Sequence, residues 1–260
     1  MPRFPAPALS TSTVVTTVLA AALGITAACT AGGIGKAEPP PVTAPDTRTP
    51  AASAAGSALT AAQAQAALLT QADLGSPWAP TEGVATWRDG LLKASTGTPD
   101  CQRLLDALYA DEPLGTPTGT HAVAAFDNGD DAAQLRYQVL DRPAADVDRS
   151  LAWLKKLPKT CAQFTATTTR AGTQQVEVTD LGLPAVGDAR QGLRVVLTGR
   201  NSDGDRTVLT LDVAAVRVGG TAITLTDGAL GGISSDATAQ TAQRGAQRLA
   251  EIRRRARVQA

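Results

Sequence analysis

The chain has 260 residues, of which 24 are basic and 24 acidic, so its formal net charge is +0. That balance excludes a bulk electrostatic footprint for nucleic acid and excludes an acidic tail. With 43% hydrophobic but only 3% aromatic residues, any core must be built mainly from Leu, Val, Ile and Ala.

At the N-terminus, Arg3 is the only charge before Lys36, and an apolar stretch runs through Val14, Val15, Val18, Leu19, Leu23 and Ile25. A basic start, about 7–15 apolar residues and small residues before a cut are the marks of an export signal. The stretch falls short of the roughly 20 apolar residues that a spanning helix needs. Thr26, Ala27 and Ala28 stand directly before Cys29. This resembles a bacterial lipobox, in which the Cys thiol takes a diacylglyceryl group and becomes the new N-terminus. Thr26 stands where a lipobox usually has Leu, and the start carries one positive charge; simple secretion with a cut nearby is the alternative. The expectation is a signal peptide over 1–28 and a lipoprotein held at the outer face of the cell membrane by palmitate-like chains on Cys29. Each buried CH₂ contributes about 0.8 kcal/mol, so several chains on one residue hold well without a spanning helix.

Residues 29–58 read as a tether. Pro39, Pro40, Pro41, Pro45 and Pro50 stop any helix. Hardly any large apolar side chain is present to build a core, so disorder is expected. A coil of about 30 residues spans on the order of 30 Å.

The region 59–257 reads as one α+β domain. Thr60 with Gln63 three later forms a capping-box pattern before a helix over Ala61 to Leu69, stopped by Gly75 and Pro77. Val84 to Arg88 reads as a short strand, flanked by Trp78 and Trp87. These two tryptophans are packing residues or the lining of a ligand pocket. Pro99, suited to a first-turn position, opens a second helix through Leu104, Leu105 and Leu108.

Two hairpins follow. Ala122–Phe126 and Gln134–Leu140 flank the turn Asp127-Asn128-Gly129-Asp130; Arg194–Gly199 and Thr207–Val218 flank Asn201-Ser202-Asp203-Gly204-Asp205. Asn-Gly and Asp-Gly accept the positive φ of tight hairpin turns. Leu193, Val195 and Leu197 alternate with Arg194, Val196 and Thr198, as a half-buried strand requires. Phe164–Thr169, Val176–Leu181 and Ala222–Thr226 complete a meander. A third helix over Pro143 to Leu157 places Val147, Leu151 and Leu154 on one face. A last helix, capped by Ser235, runs from about Asp236 to Arg255, with Ala242, Gly245 or Ala246, Leu249 and Ile252 inward. The fold class is therefore a twisted antiparallel sheet of hairpins packed with about four helices.

With Cys29 acylated, Cys101 and Cys161 remain, and an even pair in an exported chain reads as one disulfide, with two free thiols the alternative. It would tie the short second helix to the end of the third.

No chemistry-bearing constellation stands out. Gly232-Ile233-Ser234-Ser235-Asp236 does not fit the G-x-S-x-G of a serine nucleophile elbow. His121 is the only histidine, at a strand start with no evident Ser or Cys partner. Asp203-Gly204-Asp205 hints at a calcium loop but no Glu stands at its twelfth position. Asp130 and Asp131 fall in a hairpin turn. There is no P-loop, no G-x-G-x-x-G and no Cys-x-x-Cys, so no catalytic, cofactor or metal residue is assigned. The basic end, Arg253, Arg254, Arg255 and Arg257, is either a solvated helix terminus, where the dipole favours cations, or a contact for anionic lipid head groups or wall polymers.

The opening Leu68-Leu69-Thr70-x-x-Asp73-Leu74-Gly75, the paired cysteines with Cys161 followed by Phe164, Leu183-Pro184-x-x-Gly187-Asp188 and the closing segment from Ile223 to Leu249 resemble extracytoplasmic domains of actinobacterial lipoproteins. The named family they resemble is the PknH-like sensor domain, over about residues 60 to 252. Family members typically carry two disulfides, and this chain supplies one pair beyond Cys29. The resemblance implies a twisted sheet with helices and a cleft for an unidentified ligand. The resulting expectation is a lipid-anchored, non-catalytic binding or sensor-like module. Its partners would be the membrane, through the anchor, and an unidentified small ligand or cell-envelope protein. The alternatives are a structural lipoprotein that docks a cell-wall or membrane complex and, third, a hydrolase.

Overall fold

The computed structural model describes residues 58–83, 85, 87–129, 132–201 and 203–259. The expected signal peptide, Cys29 and the tether up to residue 57 lie outside these residues, as do Val84, Thr86, Asp130, Asp131 and Ser202. No helix among the described residues is long and apolar enough to cross a membrane.

In chain order come α1 (Ala61–Ala66), α2 (Gln71–Leu74), β1 (Ala79–Pro80), a π-helical turn (Arg88–Leu92), β2 (Ala94–Ser95), α3 (Pro99–Ala110), β3 (His121–Asn128) and β4 (Ala133–Asp141). Then follow α4 (Ala144–Leu154), α5 (Leu157–Thr160), β5 (Gln163–Thr168), β6 (Gly172–Asp180), β7 (Ala189–Arg200), β8 (Arg206–Val218), β9 (Thr221–Leu230) and α6 (Ser235–Gln259). The strands form one antiparallel sheet in the order β1-β3-β4-β9-β8-β7-β6-β5-β2.

The central strands are apolar on both faces, so the sheet needs cover on both sides. Along β8, Leu209, Leu211, Val213 and Ala215 join one buried cluster, together with the π-turn, α3, α4 and α5. Ala214 and Val216 of the same strand join another, with α1 and α6. The period-2 alternation read at Leu193, Val195 and Leu197 is this division: all three lie in the first cluster. Close approach on the second face depends on Gly245, where a Cβ would stand 2.6 Å from the ring of Tyr137, itself fully buried.

Local signals fix several element ends. The Thr60–Gln63 capping box forms in both directions, at 2.9 and 3.2 Å. Asp73 repeats the device at Thr70, 2.7 Å from its amide. Arg248 of α6 then donates to that carboxylate and to the Leu68 carbonyl, fastening the N-terminal helices to α6. Burial works to raise the Asp73 pKa, but the hydrogen bonds from Arg248 and Thr70 outweigh it and hold the group at about 2.

Several expectations need correction. The first helix ends at Ala66 rather than Leu69, and a separate helical turn follows over Gln71–Leu74 before Gly75. The third helix stops at Leu154 and restarts as α5, because Pro158 has no N–H and its ring would meet the carbonyl four residues back. Ser234 rather than Ser235 stands outside the last helix, its hydroxyl 3.5 Å from the Ala237 amide. The strand expected up to Arg88 gives way at Trp87 to helical dihedrals (φ −77°, ψ −18°) and the π-turn. That turn buries Leu91 and Leu92 and lets Arg88 cap the end of α3, donating to the carbonyls of Leu108 and Tyr109 and pairing with Asp111 at 2.8 Å.

Cys101 and Cys161 are disulfide-bonded, with Cα atoms 5.6 Å apart, and join the start of α3 to the residue after α5. Closing a loop of 60 residues contributes about 4 kcal/mol on a chain-entropy argument.

Gly245→Ala is expected to destabilise the domain by about 1–3 kcal/mol, although Ala is the better helix former, because the added methyl meets an immobile ring. Urea denaturation checks this, and an unchanged or raised midpoint would show that α6 has room to move.

Candidate functional site

A cavity of about 690 Å³ opens at one end of the sheet, within the range that holds small ligands. Its charged lining is four arginines (Arg142, Arg217, Arg253 and Arg257) and one carboxylate, Asp141. Each arginine arrives by a local rule. Arg142 precedes Pro143, which biases it to extended backbone as β4 ends and α4 begins. Arg217 is near the end of β8, before the Gly219-Gly220 turn into β9. Arg253 and Arg257 stand four apart on α6 and so share a face. Gly219 has φ +64°, and a Cβ there would lie 2.9 Å from the Arg253 guanidinium. Glycine thus serves both the turn and the arginine lying on it.

Asp141 is the node of this end. Its Oδ2 accepts from the Leu59 amide at 2.7 Å and its Oδ1 from the Thr221 hydroxyl at 2.8 Å. The Thr221 oxygen in turn accepts from Arg253 at 2.6 Å. Thr120 donates to the Leu59 carbonyl at 2.8 Å. The first described residues are thereby fixed to the sheet, with Ala58 on the cavity rim. Arg217 pairs with Asp148 at 2.7 Å and more loosely with Asp188 at 3.4 Å. Arg142 donates from one terminal nitrogen to the Thr116 carbonyl at 2.9 Å, while its Nε is buried with no hydrogen-bond partner among the described residues. Arg257 is exposed and has no ion pair among the described residues.

Chemically the arrangement suits an anion. Guanidinium forks match carboxylate and phosphate oxygens, and two of the four are held in place by the fold. Nothing in the lining suits base or nucleophile work: Asp141 is engaged at both oxygens, and Thr118 brings a lone hydroxyl.

The tryptophans do not meet. Trp87 is core, its ring over Gly228, where a Cβ would lie 2.8 Å away. Trp78 packs half-buried against the cluster on the opposite face. Each borders a smaller, separate depression, of about 400 Å³ at Trp78 and 240 Å³ at Trp87. His121 Nε2 lies 2.8 Å from Gln138 Oε1. Asn201 accepts from the amides of Asp203 and Asp205, closing that turn on itself. No group of three His, Cys, Asp or Glu side chains among the described residues stands close enough to hold a metal ion. Of the basic end, Arg253 and Arg257 line the cavity, while Arg254 and Arg255 pair with Glu251 instead.

Sequence reasoning missed Arg142 and Arg217, and missed a buried polar cluster beneath α6. Asp212 and Asp227 face each other across β8 and β9. Arg194 grips Asp212 with two bonds of 2.7 and 2.8 Å, and that grip raises its pKa. The Thr238 hydroxyl stands 3.2 and 3.3 Å from the two carboxylates. An aspartate inside the apolar run of β8 was the available signal.

No family model matches the chain and no curated protein matches it. Among solved structures, the extracellular domain of PknH from Mycobacterium tuberculosis is similar at 17% identity over 77% of this chain and 99% of that one, with a TM-score of 0.47. An uncharacterized protein from Mycobacterium smegmatis is similar at 13% identity over 73% and 94%, with a TM-score of 0.37.

Asp141→Ala is expected to cost about 2–4 kcal/mol, since it strips the Leu59 amide and the Thr221–Arg253 pair of their acceptor in a buried place. A loss below about 0.5 kcal/mol in chemical denaturation would show that the node is dispensable.

Proposed function

We propose that the chain is a lipid-anchored, extracytoplasmic and non-catalytic binding module of the sensor-like kind, and that its ligand is an anion taken by the arginine cavity. The observation that carries this reading is the meeting of four guanidinium groups, of which only Arg217 has an ion pair among the described residues, around one fully engaged carboxylate. An ordinary surface separates like charges, because packing them together costs free energy that a bound anion recovers. The Cys101–Cys161 bond supports an oxidising compartment. The Thr26-Ala27-Ala28-Cys29 run supports the anchor, and the proline-rich stretch up to residue 58 supports a spacer.

Two measurements test the two halves of the reading. Cys29→Ser is expected to move the protein from the membrane pellet to the soluble fraction; if it still pellets after a carbonate wash, acylation at Cys29 is not what holds it. Native mass spectrometry of protein gently extracted from membranes is expected to show an acidic small molecule retained. A bare polypeptide mass, with Arg142 and Arg257 side-chain signals unmoved in NMR by millimolar inorganic phosphate, would remove the binding function.

A further inference from the structure

Resting on that reading, we propose that the anion is the phosphate headgroup of an acidic lipid in the leaflet that holds the anchor, so that the domain sits with its cavity on the membrane.

The first argument is position. Ala58 is on the cavity rim, and the next residue is pinned there by hydrogen bonds at both its amide and its carbonyl. Toward the N-terminus, Cys29 is about 28 residues away, a coil with a root-mean-square span of about 30 Å. Any force that the anchor exerts on the domain is therefore applied at the cavity. The chain that would lead to the anchor thus enters the domain beside the cavity.

The second argument is chemistry. Arg217 and Arg253 are immobilised by Asp148 and Thr221. Arg257, exposed, and the terminal nitrogen of Arg142 that makes no hydrogen bond among the described residues leave donors uncommitted. Donors from three separate elements surround one space, which suits a group with several oxygens spread around one centre, as in phosphate, better than a single carboxylate.

The third argument is that charge alone does not define the site. Arg254 and Arg255 are on the same helix turn and carry the same charge, yet they are tied to Glu251 away from the cavity. A site-specific contact and a diffuse one therefore predict different mutants.

The test uses the full mature chain from residue 29 with Cys29→Ser, which keeps the tether and removes the acyl chains. Its sedimentation with vesicles of phosphatidylcholine alone and of phosphatidylcholine with phosphatidylglycerol is compared at physiological salt. The acidic vesicles are expected to bind it selectively. Arg142→Gln with Arg257→Gln is expected to weaken that binding about tenfold or more, since each arginine near an anionic surface is worth about fivefold. Arg254→Gln with Arg255→Gln is expected to stay within about twofold. Equal losses in the two pairs would overturn the proposal in favour of diffuse attraction. Should the first pair fold poorly, Arg257→Glu alone, at an exposed position, answers the same question. If soluble glycerol 3-phosphate binds as well as the vesicles do, the lipid source is overturned while the anion site stands. If neither binds, the anion reading falls with it. The Cys29 fractionation above is independent of both outcomes.

Discussion

Burial of the central strands on both faces is the constraint from which the rest of the structure follows. All but the last residue of β9, and most of β8, are buried. A sheet of this kind cannot leave one face to water, so helices must be found for both sides. The first face takes α3, α4, α5 and the π-turn; the second takes α1 and α6. Few aromatic residues are available, and the fit is achieved with Leu, Val and Ala, with glycine where two elements come closest. Gly228 admits the Trp87 ring on one side and Gly245 admits the Tyr137 ring on the other. Each is a place where a single methyl group has nowhere to go.

Because the interior is thick, the charges inside it must be paired. Asp212 is gripped by Arg194 and Asp111 by Arg88, with Arg136 3.3 Å from its other oxygen. Burial pushes the Asp111 carboxyl up, against the pull of both arginines. Removing one member of such a pair is costly because it strands the other, whatever the pair itself contributes. Asp141 is buried too, but it stands at the end of the sheet and is held by hydrogen bonds rather than an ion pair, from the entering chain and from Thr221, which in turn accepts from Arg253 of α6. Structural necessity and a candidate binding site thus meet there. The interaction that fastens residue 59 also sets Arg253 on the cavity wall, while Arg257, one turn further on, stays exposed.

Much of the fold was legible because it is encoded locally. The Thr60–Gln63 capping box, Pro99 at the start of α3 and the Asn201 turn act within four residues of themselves, and each lies where sequence reasoning puts it. The alternation at Leu193 to Thr198 gave both strand and face. The reading failed where a local pattern was overruled. Val84 to Arg88 has strand-forming residues, but Arg88 is drawn to the end of α3 and to Asp111, more than twenty residues on, and Trp87 onto Gly228. Trp78 and Trp87, read as packing residues or as a pocket lining, are close in sequence but pack in different clusters. The two rings end in cores on opposite faces of the sheet.

The amino-acid sequence by itself determined most element types, most turns and the α+β class, and pointed to Cys101 and Cys161 as a pair, since each depends on periodicity, on φ preferences or on parity. It also showed a basic C-terminal turn without saying what that turn faces. Only the tertiary structure decided that Arg253 and Arg257 meet Arg142 and Arg217, and that the entering chain arrives beside them. Those residues lie on β4, β8 and α6 or at their ends, up to 115 positions apart by residue number. Their meeting follows from the strand order β4-β9-β8 and from where α6 crosses it, and packing across the whole sheet sets both, which no window of neighbouring residues contains.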